Sequence, residues 1–161
     1  MPPEASRVSP SGVKEQAHEL REGLLAATAR VLDSGWFVLG REVAAFEREF
    51  AAWSGSAHAV GVASGTDALA LALRACGVGP GHDVILPSNA LPAAYGVAAS
   101  GARLRFADVR REDLNLDPAE VERLMSPRTA AVLAVHLYGH PADVDELARA
   151  VDRDRVAIVE D

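Results

Sequence analysis

The chain is poor in thiols and in amines. Its 161 residues include one cysteine, Cys76, and one lysine, Lys14; the other fifteen basic residues are arginine. A single cysteine excludes intrachain disulfides, and Cys76 reads as a small buried side chain near a helix end. No apolar run approaches the roughly 20 residues that span a bilayer. The opening "MPPEASRVSPSG" has no apolar core of a secretory leader; residues 1–12 read as a loose polar tail. Bases are outnumbered by acids, 16 to 23, for a formal charge of -7. A negative surface repels phosphate backbones, which argues against nucleic acid as a partner. Internal repeats and low-complexity segments are absent too. A soluble cytoplasmic protein with no membrane or nucleic-acid partner is the expectation.

What remains is an ordinary core composition, 49% hydrophobic, arranged in a regular alternation. Helical spacing marks residues 13–33 and again 41–53, separated by "DSGWFVLG" (33–40). From there short β-branched runs alternate with helices. Strands are expected at 59–64, 83–87, 103–109, 130–138 and 156–160, and helices at 66–76, 90–99, 117–125 and 141–151. Asp117, Pro118 and Glu120 are placed as N-cap, first helical residue and capping-box acid. Apolar strands joined by helices indicate an α/β fold, a parallel sheet covered on both faces. Ligands in such folds meet the carboxyl ends of the strands.

Several stretches invite a chemical reading. "VASGTDAL" is a strand, Ser64-Gly65-Thr66, then a helix. The first turn of that helix offers free N–H groups to an anion such as phosphate. A capping box of Ser64 with Asp67 explains the same residues, and both readings stand open here. The glycine-rich "GVGPG" (77–81) follows a helix and precedes a strand, the reverse of a dinucleotide fingerprint, so it is a turn. His136 and His140 have a metal-ligand spacing only on a helix, which Gly139 and Pro141 oppose; no metal site is expected. His136, at a strand's carboxyl end, is a pocket candidate, whereas His18, His58 and His82 read as surface residues and Tyr138 as packing. Glu160 and Asp161 follow the final strand directly. Asp161 is either a helix N-cap or a buried carboxylate paired with a cation, since an unpaired buried charge is costly. Pyridoxal 5'-phosphate needs such a pairing. Its ring nitrogen works as an electron sink only when protonated, and its phosphate suits "SGT".

Taken in order, "DSGWFVLGREVAAFEREFAAW", "HAVGVASGTDALALALRACGVGPGHDVILPSN", "NLDPAEVERLMSPRTAAVLAVHLYGHPADVDEL" and "VAIVED" resemble the DegT/DnrJ/EryC1/StrS aminotransferases. That family uses pyridoxal phosphate to aminate nucleotide-linked keto-sugars with an amino acid such as glutamate. The resemblance implies the type I fold of pyridoxal-phosphate transferases, the large domain of aspartate aminotransferase, with an incomplete three-layer α/β/α sheet. It divides the chain into a tail (1–12), a helical segment (13–56) and the first part of the cofactor-binding domain (57–161). Gly65 and Thr66 would hold the phosphate and Asp161 the pyridine nitrogen. Trp36 and Phe37 would lie near the sugar. Ala90 and Leu91 stand where the family usually has Thr and a stacking aromatic; Leu91 would cover the ring without a π-surface. The strand at 59–63 would pair with a later strand, leaving four strands together and their edges open. The family's Schiff-base lysine would lie beyond Asp161, and Lys14 precedes the core sheet. The chain alone is therefore expected to be inactive, the complete enzyme a homodimer. Two alternatives stand beside this: a sister branch in which histidine replaces the lysine and the sugar is dehydrated, and a non-catalytic subunit that docks on a full-length partner.

Overall fold

A computed structural model describes residues 12–161; the expected polar tail, apart from Gly12, lies outside them. The chain divides into two compact units, one reaching to Gly61 and one from Val62 to Asp161.

The first unit holds α1 (Val13–Glu19), α2 (Arg21–Ser34) and α3 (Arg41–Ser54). The pattern expected as one helix over 13–33 is broken at Leu20, whose ψ of 2° leaves the helical region. Gly35, at φ 63°, ends α2 in a conformation that suits glycine. Arg30 on α2 and Glu42 on α3 form a two-pronged ion pair at 3.0 and 3.1 Å. It is exposed, so solvent screens it and it adds little to stability. Spacings of four and three put Phe46, Phe50 and Trp53 on one stripe of α3, with successive ring centroids 5.5 Å apart. All three are exposed.

In the second unit come α4 (Gly65–Ala75), β1 (Asp83–Pro87), α5 (Leu91–Ser100), β2 (Arg103–Ala107), α6 (Pro118–Leu124), β3 (Thr129–Ala134), α7 (Val144–Ala150) and β4 (Ala157–Glu160). The four strands form one parallel sheet in the order β2-β1-β3-β4. Alternation along the strands serves both faces. Val84, Leu86, Ala131 and Leu133 join Leu69, Leu73 and Val97 of α4 and α5 in one core. Ile85, Val132 and Ala134 join Val121 and Leu147 of α6 and α7 in the other. The expected α/β/α layering is what forms.

Several boundaries differ from expectation for local reasons. Residues 59–64 form no strand. The Gly61 N–H is taken by the Glu47 carboxylate at 2.8 Å, and Val60 and Val62 remain exposed. β2 stops at Ala107, after which Val109 pairs antiparallel with Leu116. β3 stops at Ala134 and enters a 3-10 turn, Leu137–Gly139. α7 begins only at Val144, where the Asp143 side chain accepts the Glu146 N–H at 2.8 Å. Asp117 caps α6 as expected but receives the Ala119 N–H. Its own N–H goes to Asp108 O, so Glu120 is not needed there and pairs with Arg123 at 2.6 Å. Cys76 is exposed rather than buried, and Tyr138 is 96% exposed, so it is not packing.

Two contacts set the geometry of this unit. The first is between helices. A Cβ on Gly96 of α5 would lie 2.6 Å from Leu69 Cβ and 3.2 Å from Thr66 O of α4, so only glycine allows this approach. The second is ionic. Asp83, 1% exposed, accepts Arg103 Nε at 2.7 Å and the Ser126 hydroxyl at 3.3 Å, with Arg128 at 3.8 Å. Burial pushes its carboxyl up. The Arg103 hydrogen bond, the two arginine charges and the serine together outweigh burial and hold it below the ordinary carboxylate range.

Gly96→Ala should therefore lower stability by about 1–3 kcal/mol through overpacking, read from the urea midpoint with an unchanged denaturant slope. A lowered carboxyl stabilises the fold above its unfolded pKa and loses that contribution as pH falls through its folded one. Arg103→Ala should thus cost about 2 kcal/mol at neutral pH. The gap to the unaltered chain should narrow as pH falls through the lowered folded pKa of Asp83 and close once that carboxyl is neutral in both chains.

Candidate functional site

The strand order places a topological switch between β1 and β3, because the chain goes outward to β2 and then returns to the other side of β1. Crevices for ligands open at such points, outside the carboxyl ends of the strands. The residues to examine there are those leaving β1, β3 and β4, with the helix start that faces them.

That helix start belongs to α4. Thr66 and Leu69 lie against Gly96, and Arg74 reaches Ala99 O at 2.6 Å, so α4 and α5 run in the same direction. Since α5 returns from the carboxyl end of β1, the first turn of α4 faces that end too. Ser64 caps the turn, accepting the Asp67 N–H at 3.1 Å and donating its hydroxyl to Asp67 Oδ2 at 2.8 Å. The amides of Gly65 and Thr66, the first two of the helix, have no intrahelical acceptor, and a Cβ built on Gly65 would meet nothing within 4 Å. Gly65 and Thr66 are exposed. Ser64 and Asp67 satisfy the third amide, and the first two have no partner among the described residues.

Leu91 opens α5 and is 60% exposed, with no side-chain cap at Ala90. Asp161 is exposed rather than buried. Its backbone is fixed between Ala134 O, which accepts its N–H at 2.8 Å, and the His136 N–H, which its own carbonyl accepts at 2.8 Å. His136 is bound on both ring nitrogens. Nδ1 accepts the Ala142 N–H at 3.0 Å, and Nε2 faces Glu160 Oε2 at 3.2 Å. In the first unit Trp36 and Phe37 occupy the α2–α3 connection, both more than half exposed. They border a groove of about 370 Å³ with Arg30, Ser34 and Arg41. The Trp36 indole N–H donates to Val38 O at 2.7 Å.

Two asparagines that the sequence alone did not single out stitch the exit loops together. Asn89, after β1, donates to Leu114 O at 2.9 Å. Asn115, buried in the loop after β2, donates to Pro141 O at 2.9 Å and His140 O at 3.3 Å, after β3. Asn115 Oδ1 is buried without a partner among the described residues. Their signal in the sequence was an Asn in each of two successive strand-exit loops, a residue type that bonds to backbone. Arg110 adds an ion pair to Glu146 on α7.

Comparison with known proteins gives one consistent picture. The sequence profile of the DegT/DnrJ/EryC1/StrS aminotransferase family matches residues 18–161. The dTDP-3-amino-3,4,6-trideoxy-alpha-D-glucose transaminase of Streptomyces venezuelae is 50% identical over 159 residues, covering 98% of this chain and 42% of that enzyme. The crystal structure of S. venezuelae DesV in complex with a ketimine intermediate superposes with a TM-score of 0.86 at 51% identity, over 91% of this chain and 40% of that one. Bacillus subtilis NtdA with bound cofactor PMP gives 0.77 at 28% identity, over 95% and 34%. The chain spans about two-fifths of the length of the curated relatives it matches most strongly.

Asn115→Ala should cost about 2 kcal/mol in urea unfolding because two loop carbonyls lose their donor at a buried site. Asn89→Ala, at an exposed one, should cost under about 1 kcal/mol.

Proposed function

Because the chain belongs to the DegT/DnrJ/EryC1/StrS aminotransferase family, we propose that it forms the cofactor-binding part of a pyridoxal-phosphate enzyme. That enzyme moves an amino group from an amino acid, glutamate the natural choice, onto a nucleotide-linked keto-sugar. The reading is carried by one observation: the family match runs unbroken through both the open first turn of α4 and the acid that closes β4.

The cofactor, when bound, supplies the electron sink and carries the amino group between the two substrates. The chain's own residues have simpler tasks. The Gly65 and Thr66 amides and the Thr66 hydroxyl donate to the phosphate at the positive end of α4. Asp67 is already engaged with Ser64, which keeps its carboxylate occupied beside that anion. Asp161 holds the proton on the pyridine nitrogen by offering it a carboxylate. Leu91 covers a ring face by apolar contact alone. In the helical unit Trp36 and Phe37 offer aromatic faces suited to a sugar substrate. The one lysine, Lys14, precedes the residues that match the family, so the amine that the cofactor chemistry needs is not among them; the working enzyme is a cytoplasmic homodimer. Among the described residues, no helix is long and apolar enough to cross a membrane.

The test is a chimera in which residues 18–161 replace the matching segment of the S. venezuelae transaminase. It should take up cofactor and aminate a dTDP-linked keto-sugar with glutamate as donor. Thr66→Val and Asp161→Asn should each reduce turnover by about tenfold or more, a loss of at least about 1.4 kcal/mol. A folded, cofactor-loaded chimera that forms no amino-sugar would refute the assignment.

A further inference from the structure

We infer that His136 is a positioning residue rather than a substrate contact: it tethers Glu160 and thereby presents Asp161 alone to the cofactor. The inference rests on the reading of Asp161 as the partner of the pyridine nitrogen.

Three of this residue's hydrogen bonds tie it to the end of β4 and to the start of the segment before α7. Its main-chain N–H donates to Asp161 O at 2.8 Å, and its Nδ1 accepts the N–H of buried Ala142 at 3.0 Å. An imidazole nitrogen that accepts carries no proton, so the ring proton sits on Nε2 and is donated to Glu160 Oε2 at 3.2 Å. The ring is thus fixed in orientation and tautomer from both sides, with its side chain only 30% exposed. Neither nitrogen remains for a substrate.

The target of the tether explains its use. Glu160 and Asp161 are adjacent acids at the end of β4, where successive side chains point to opposite faces. The Glu160 side chain is 57% exposed and has enough rotatable bonds to fold back toward its neighbour. A second free carboxylate there would compete for the same cation and raise the local cost of ionising both. Bound to His136, Glu160 is held on its own face. The same ring pins the loop from β3 to α7, which contains the left-handed Tyr138 at φ 55°. The end of β4 and that loop then move as one piece.

Three variants of the 161-residue chain separate the parts. His136→Gln keeps an N–H for Glu160 but no acceptor for Ala142; His136→Asn keeps an acceptor near Nδ1 but no reach to Glu160; His136→Ala keeps neither. Amide exchange should be about tenfold faster at Asp161 and Ala142 in the alanine variant, with Ile85 and Leu86 of β1 unchanged. Glutamine should restore Asp161 only, asparagine Ala142 only. Nitrogen-15 spectra of the unaltered ring should show a protonated Nε2 and an unprotonated Nδ1. In the chimera with the S. venezuelae transaminase, affinity for pyridoxamine phosphate, followed by its phosphorus resonance, should fall about tenfold in His136→Ala and return in His136→Gln. A proton on Nδ1, or faster exchange that spreads equally to β1, would overturn the tether. If the unaltered chimera takes up no pyridoxamine phosphate, the cofactor reading falls and with it the purpose given to His136. The amide pattern decides separately whether the tether exists.

Discussion

The closeness of α4 to α5 is the constraint on which the second unit depends. In most parallel α/β units a helix is held by the strand before it as well as by the helix beside it. Here α4 follows an irregular segment that joins no sheet, so its place is set by side-to-side packing on α5, with a lesser touch on β4. That packing turns on Gly96, which lets Leu69 and Thr66 come within a distance no other residue would allow. The α5 surface is built for this from Ala93, Ala94, Gly96 and Val97, all buried. Because Thr66 belongs both to this contact and to the first turn of α4, the helix–helix distance and the position of the anion cradle are a single geometric quantity.

The two ends of the sheet use charge in opposite ways. At the amino end Asp83 is fully buried, surrounded by two arginines and a serine, and tied to β2 and to the turn before β3. Its interactions are complete, so it has nothing to offer a ligand. At the carboxyl end Asp161, Thr66 and Gly65 are exposed, while the loops around them are cross-linked through Asn89, Asn115 and His136. A rigid rim carrying unsatisfied donors and acceptors is the arrangement expected where binding geometry matters. The ion pairs of buried Asp83 therefore mark structure, not chemistry.

Much of this was readable from the residues, and the exceptions share a cause. The buried strands β1 and β3, the caps at Ser64 and Asp117, and the turn at 77–81 are local in origin, and the fold class follows from the alternation of strands and helices. Residues 59–64 have a strand's composition, but a strand exists only when its backbone finds a partner, and Glu47 claims the Gly61 N–H first. Tyr138 and Cys76 looked interior from residue type, yet a left-handed turn and a helix C-terminus turned them outward. Asp161 stood open between a helix N-cap and a buried, paired carboxylate; it is exposed, and no element among the described residues covers it. Asn89 and Asn115 were invisible because their partners are 25 and 26 residues away. Local patterns reveal elements and caps; contacts between loops appear only once the sheet has brought the loops together.

The distribution of indoles has a practical corollary. Both tryptophans, Trp36 and Trp53, lie in the helical unit, and the sheet-containing unit has none. Emission excited in the far-red edge of the indole band follows only the first 61 residues. Melting of the sheet passes unseen by that signal and is followed instead by circular dichroism or by Tyr95 and Tyr138, so a transition monitored by indole emission alone describes the helical unit, 61 of the 161 residues.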